Sequence, residues 1–274
     1  MSVAARIHPV RLNHVNLVLE DFDDSVRHLE RMYGMQFLVD IPRTEWHACV
    51  VNIGRVLFEL FVPQQFLLNS RYGPHHLGIE YQADMEEVRH VIASHDIRIV
   101  RDIGTAVHTH PADCHGVAFE FFGDYFHDAE ARTGWPAMQP AEYWLNEHPL
   151  GLTGLKGCTI TVLDLAKARD FFLGFLKGEV LFDEPRPSIS ARAVGLQVAG
   201  AVLELLAPVG DGAIQRHILQ SGEGIRSTVF GVSDIDQARR YFAERGVELV
   251  PGAGPGVLAV PVERNCGVLF EFSE

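Results

Sequence analysis

Short runs of alternating apolar and polar residues recur along this chain, each followed or preceded by a stretch of helical spacing. Leu77, Ile79 and Tyr81 alternate with His76 and Gly78, and Val117, Phe119 and Phe121 alternate with Ala118 and Glu120. A period of two puts one set on a core face and the other on the opposite face of a strand. Earlier in the chain His14 stands against Val15, Leu17 and Leu19, and Glu59 against Phe58, Leu60 and Val62. Residues 13–19 read as a strand. Phe22 to Ser25 then offers capping residues before Val26, Leu29, Met32 and Tyr33, which keep helical spacing up to Gly34. Strands at 36–40, 45–53 and 56–62 follow, the last two joined by a tight turn at Asn52 to Arg55. The order is βαβββ.

The same order returns three more times. Strand 75–81, helix 84–95 and strands 97–101, 106–110 and 116–122 make a second unit. Strand 157–164, helix 165–176 and strands 179–183, 190–198 and 201–207 make a third, and residues 226–272 make a fourth. Asn265 to Phe272 repeats the pattern of Asp113 to Phe121, and Val202 to Leu205 that of Leu57 to Leu60. Repetition of a whole supersecondary unit identifies the fold better than any single residue. The expected class is α+β, four βαβββ units forming two domains with curved, barrel-like mixed sheets. Domain bounds of 8–123 and 154–274 follow. Residues 124–153, with Gly134, Pro136, Pro140, Pro149 and Gly151, read as a linker with a short helix whose aromatics, Trp135, Tyr143 and Trp144, pack onto a domain surface.

The spacing of the polar residues repeats as well: His14 and Glu59 lie 45 positions apart, His76 and Glu120 lie 44 apart. Two His and two Glu on the polar faces of four strands suit one divalent ion, whether zinc, cobalt, nickel, manganese or iron. With 274 residues, 47% hydrophobic and 22% charged, there is ample material for two buried cores. The formal net charge of −13 argues against nucleic-acid or anionic-membrane partners, and an anionic substrate would need a local basic pocket. No apolar run has signal-peptide or membrane-span length, so a cytoplasmic protein acting on a small molecule is expected, with a homodimer as one expected assembly. Cys49, Cys114, Cys158 and Cys266 are scattered, without the paired spacing of a thiolate zinc site, and read as small buried residues.

Tandem βαβββ units with inward His and Glu resemble the vicinal oxygen chelate superfamily, which includes glyoxalase I, extradiol dioxygenases, bleomycin resistance proteins and methylmalonyl-CoA epimerase. The first half is most similar to the epimerase, through His14 to Val18, Val51 to Gly54 with Glu59, His75 to Glu80, and His110 to Val117 with Glu120. The resemblance implies His14, Glu59, His76 and Glu120 as ligands of one metal ion. It implies Glu45 as the carboxylate base on the third strand, with Glu120 also at the reacting centre. The implied activity is metal-assisted proton transfer next to a carbonyl, of isomerase, epimerase, lyase or glyoxalase type. Ring cleavage of a catechol-like substrate and metal-free binding or resistance are the alternatives.

In the second half, Gly157 aligns with His14, Ser227 with His76, Glu204 with Glu59 and Glu271 with Glu120. Two carboxylates without imidazoles make a weaker transition-metal site, so no ion is expected there. His47, His108, His110 and His115 read as exposed histidines or as residues orienting a ligand.

Overall fold

The structure is a computed structural model and describes residues 5–44, 46–63, 72–128 and 132–274, the side chain of residue 63 excepted. The first unit runs β1 (Arg11–Val18), α1 (Phe22–Tyr33), β2 (Gln36–Pro42), β3 (Trp46–Ile53) and β4 (Val56–Pro63). The second is β5 (His75–Gln82), α2 (Met85–Ser94), β6 (Ile99–Asp102), β7 (Ala106–Thr109) and β8 (Ala118–Phe122). The third is β9 (Leu152–Thr161), α3 (Leu165–Phe175), β10 (Glu179–Arg186), β11 (Ala191–Val198) and β12 (Ala201–Pro208). After α4 (Ala213–Ser221), the fourth is β13 (Gly224–Val232), α5 (Ile235–Ala243), β14 (Val250–Pro251), β15 (Leu258–Val260) and β16 (Leu269–Ser273). The class is α+β, four βαβββ units as the pattern predicts.

Each of the four unit helices opens on an aspartate. Asp21, Asp84, Asp164 and Asp234 are N-caps whose carboxylates accept backbone N–H groups of the first turn. The β3–β4 turn has Gly54 and Arg55 both at positive φ, 60° and 66°, as a two-residue hairpin loop requires. Helix α4 has no counterpart in the sequence reading. Its N-cap is Gly212, which has no side chain to signal a start, and it buries only Ile214 and Ile218, four residues apart.

The strands form two eight-stranded mixed sheets, ordered β2-β3-β4-β1-β5-β8-β7-β6 and β10-β11-β12-β9-β13-β16-β15-β14. In both, the first and last strands of a unit pair in parallel, β5 with β8 and β13 with β16, and hairpins supply the antiparallel remainder. By packing, the chain divides into two compact units, one of residues 1–14, 77–133 and 159–225, the other of 15–76, 134–158 and 226–274. The core of the first sets Phe119 and Phe121 of β8 against Phe172 and Phe175 of α3 at ring separations of 5.7 to 6.0 Å. Among the described residues no helix is long and apolar enough to cross a membrane.

The second unit's core gathers Tyr33, Phe58, Phe230, Phe242, Phe270 and Phe272, with the Tyr33 hydroxyl donating to Asn265. The chain expected to link two domains packs here through a single π-helical turn, Tyr143–Glu147, that buries Trp144 against His148. His148 in turn accepts the Leu150 N–H through Nδ1 at 3.3 Å, and Gly34, at φ 60°, leaves room for its Nε2.

Burial, joined by the nearby Arg245 charge, pushes His148 down to about 4, below the 6.5 of an unfolded chain. Folded protein therefore binds fewer protons than unfolded protein between those values. Stability is fully present above pH 6.5 and declines as pH falls towards 4, by roughly 3 kcal/mol in total. Urea unfolding at pH 7 and pH 4.5 measures it. The difference should shrink in His148→Gln, and an equal loss in both proteins would assign the acid sensitivity elsewhere.

Candidate metal centre

Glutamates come together on the first sheet because of register. In the parallel β5–β8 pair Glu80 stands opposite Glu120, and in the antiparallel β7–β8 pair His108 stands opposite Glu120. Directly opposed residues share a face. On the other side of β5, the His14 Nδ1 of β1 lies 3.3 Å from Glu80 Oε1, and its Nε2 lies 3.7 Å from Glu120 Oε2. His108 Nε2 closes on Glu120 Oε1 at 2.9 Å. The neighbouring strands β1, β5, β8 and β7 thus contribute His14, Glu80, Glu120 and His108 to one continuous polar row. The odd-numbered residues between them, Ile79, Tyr81, Phe119 and Phe121, are fully buried in the core of the same compact unit.

Asn13 fixes one end of the row. Its amide donates to the Asp124 carbonyl at 2.9 Å and accepts the Phe126 N–H at 2.8 Å. That clamp holds the chain after β8 so that Phe126 stacks on the His14 imidazole, centroids 5.6 Å apart and planes 1° from parallel. The imidazole is thereby confined between a ring face and two carboxylates.

His14, Glu80 and Glu120 are all buried, and one ligand atom from each lies within 4.8 Å of the others. Burial pushes the Glu80 carboxyl up to about 8, with Glu120 reinforcing and His14 opposing. Glu120 stays well below the usual carboxylate range, because its neighbours His108 and His14 outweigh the effect of burial. Two carboxylates this close share a site comfortably only when one is protonated or a cation lies between them. The donor set of one imidazole nitrogen and up to four carboxylate oxygens fits a divalent ion.

Of the ligands expected from sequence, the structure brings His14 and Glu120 together. Glu59 and His76 are buried residues of the other compact unit, where His76 Nε2 lies 3.1 Å from the Thr228 hydroxyl and its ring meets Phe270 at 6.2 Å. Neither belongs to the group of three. Glu45, the expected base, lies outside the described residues. Glu80 and His108 are the additions. Glu80 shares the parity of His76 on one strand, and that was the signal available for it.

The second sheet keeps the acids and supplies their cations from the chain. Glu271 is fully buried, its Oε1 accepting from Arg226 at 3.0 Å and from the Ala253 N–H at 2.9 Å, its Oε2 from Ser227 at 2.8 Å. Glu204 accepts from Arg186 at 3.1 Å. Register pairs Val229 and Ala259 with Glu271, so Val229 takes the place of Glu80 and Ala259 that of His108. The same register sets Ile225, rather than Ser227, at the position of His76, a shift of two residues from the sequence alignment. Among the described residues no second group of three ligands forms.

Residues 154–261 match the family model of the Glyoxalase/Bleomycin resistance protein/Dioxygenase superfamily. A triple mutant of 4-hydroxymandelate synthase from Streptomyces coelicolor shares the fold over 96% of this chain and 92% of its own, with a TM-score of 0.72 at 12% identity. Methylmalonyl-CoA epimerase from Mycobacterium tuberculosis is 27% identical, covering 44% of this chain and 87% of its own, with a TM-score of 0.42. A hypothetical protein from Bacillus halodurans C-125 is 30% identical, covering 43% and 91%, with a TM-score of 0.40. No curated protein matches the chain.

Proposed function

Because this chain belongs to the Glyoxalase/Bleomycin resistance protein/Dioxygenase superfamily, we propose that it is a divalent-metal-dependent enzyme that moves a proton next to a carbonyl of a small-molecule substrate. The observation that carries the reading is the buried His14, Glu80 and Glu120 group with His108 beside it. These three residues would hold the ion, which when bound supplies a Lewis acid for substrate oxygens. His108 lies outside the ligand group, is partly exposed and sits 2.9 Å from Glu120, where it can take up a proton and share it with that carboxylate. Glu120 orients the imidazole as a carboxylate does for a general base. Phe126 shields one face of His14 from water. Glu45 is the rival base, carried by the family resemblance alone. The isomerase, epimerase, lyase and glyoxalase types all fit this arrangement.

Ring cleavage by a ferrous ion goes with two imidazoles and one carboxylate. The group here has the opposite balance, which favours proton transfer. The test is solvent deuterium exchange, followed by NMR, into a panel of thioesters and 2-hydroxy ketones with manganese- or cobalt-loaded protein. Wild type should exchange the acidic carbon of at least one compound. His108→Gln should keep its metal and lose roughly 10²- to 10⁴-fold in rate. Full activity in His108→Gln with loss in Glu45→Gln would move the base to Glu45. Dioxygen consumption with catechols and no exchange would replace the reading by ring cleavage, and protein that takes up no ion would leave a binding protein.

A further inference from the structure

Asn13 is fully buried next to the ligand His14, and it fastens the chain that follows β8. Its amide donates to the Asp124 carbonyl at 2.9 Å and accepts the Phe126 N–H at 2.8 Å, while its backbone carbonyl accepts from His127 Nε2 at 3.3 Å. Arg11, two residues earlier on β1, places its guanidinium 4.1 Å from the centre of the Tyr125 ring. Residues 124–127 are thus tied to one strand. The result is the placement of a ring: Phe126 packs on Phe122 of β8 at 5.0 Å and lies parallel to the His14 imidazole, centroids 5.6 Å apart. The metal-binding lone pair of an imidazole lies in the plane of its ring, so whatever fixes that plane fixes where an ion can sit. In this plane His14 Nδ1 lies 3.3 Å from Glu80 and Nε2 3.7 Å from Glu120.

The second half repeats the fastening where no histidine is present. Lys156 of β9 precedes Gly157, the counterpart of His14, and its ammonium donates to the Ser273 hydroxyl of β16 at 3.4 Å and to the Glu274 carbonyl after it. Tying down the end of the last strand is therefore common to both halves, and the stacked ring is what the half with the ligand group adds. We propose that Phe126, held by Asn13, is a positioning residue of the metal centre: it sets the plane of the His14 imidazole, and through it the affinity and coordination geometry of a divalent ion. The role needs a flat face, since an aliphatic side chain of similar bulk presses on the imidazole without selecting its tilt. The inference rests on the metal-dependent reading above.

The probes are manganese, whose uptake is measured by equilibrium dialysis, and cobalt, whose visible absorption bands report the geometry of its ligands. Phe126→Leu should bind manganese roughly 10- to 100-fold more weakly than wild type, the range for residues that orient a ligand, and should shift the cobalt bands. Phe126→Tyr, which keeps the ring, should match wild type in both. Asn13→Ala should lose as much as Phe126→Leu and the double variant no more than either, because the two act through one contact. Should Asn13→Ala fail to fold, the contrast of leucine with tyrosine at position 126 decides alone. Urea unfolding of each variant gives the control, since a purely structural role lowers stability and leaves the affinity and cobalt bands of the folded protein unchanged. Wild-type affinity and bands in Phe126→Leu, an equal loss in Phe126→Tyr, or a double variant that loses the sum of the two, overturns the proposal and leaves the metal reading standing. Wild-type protein that takes up neither ion overturns the metal reading and this inference with it.

Discussion

Glu80→Gln should lower the affinity for manganese or zinc by roughly 100-fold, and Glu59→Gln should leave it unchanged. The reason lies in the two ligand sets. His14 and Glu120 belong both to the set implied by family resemblance and to the buried group, so substituting either cannot tell them apart. Glu80, Glu59 and His76 can. A glutamine at position 80 keeps the shape of the side chain while removing its charge and half of its metal-binding oxygens. Residues that merely orient ligands are worth 10- to 100-fold in affinity, and a direct ligand stands at or above the upper end. Elemental analysis and manganese titration of Glu80→Gln, Glu59→Gln and His76→Ala measure the effect. Loss in the latter two with full binding in Glu80→Gln would establish the resemblance-derived set instead. The double variant Glu204→Gln, Glu271→Gln is the control, with metal content equal to wild type, since the acids of the second sheet are already bonded to Arg186 and Arg226.

The largest stability effect is expected at Gly116, which precedes β8 and thereby sets the position of Glu120. Its φ is +77°, and a Cβ placed there would lie 2.0 Å from the Glu223 carbonyl oxygen. Backbone on the opposing side cannot swing away as a side-chain tip can. Gly116→Ala should cost more than about 3 kcal/mol, a loss large enough to unfold many domains of marginal stability. Gly104 separates the two causes, because its φ is +83° with nothing within 4 Å of the added carbon. Gly104→Ala should cost about 1 kcal/mol, the conformational part alone. Urea or guanidinium unfolding of the two variants measures both, and equal losses would show that crowding at Glu223 contributes nothing.

The four βαβββ units were legible because two periods alternate along the chain, although the first helix caps on Asp21 rather than within Phe22 to Ser25. Helix α4 was not, since a glycine start leaves no capping signal. At the site, His14 and Glu120 could be read from parity and from repeated spacing. Glu80 and His108 could not be read as their partners. Parity assigns a residue to a face, whereas adjacency on that face depends on which residues of β5, β7 and β8 stand opposite one another, and that register is fixed by pairing across 40 positions for Glu80 and 12 for His108. A strand of four residues such as β7 carries too little pattern to set it locally. The two-residue displacement between Ser227 and the position of His76 has the same origin.

The arginines of the second sheet give the duplication a further meaning. A guanidinium that is part of the chain is present at an effective concentration fixed by the fold, so the charge balance at Glu271 and Glu204 is settled once, when the protein folds. The corresponding balance among His14, Glu80 and Glu120 is open to mass action, because it is met by a proton or, on the reading proposed above, by a divalent ion, and either exchanges with solution. One repeat has thus made its counter-ion hereditary, and the other has left it exchangeable. An exchangeable ion can offer coordination positions to a substrate, as a built-in guanidinium cannot, and that is why chemistry is proposed for the first sheet rather than the second.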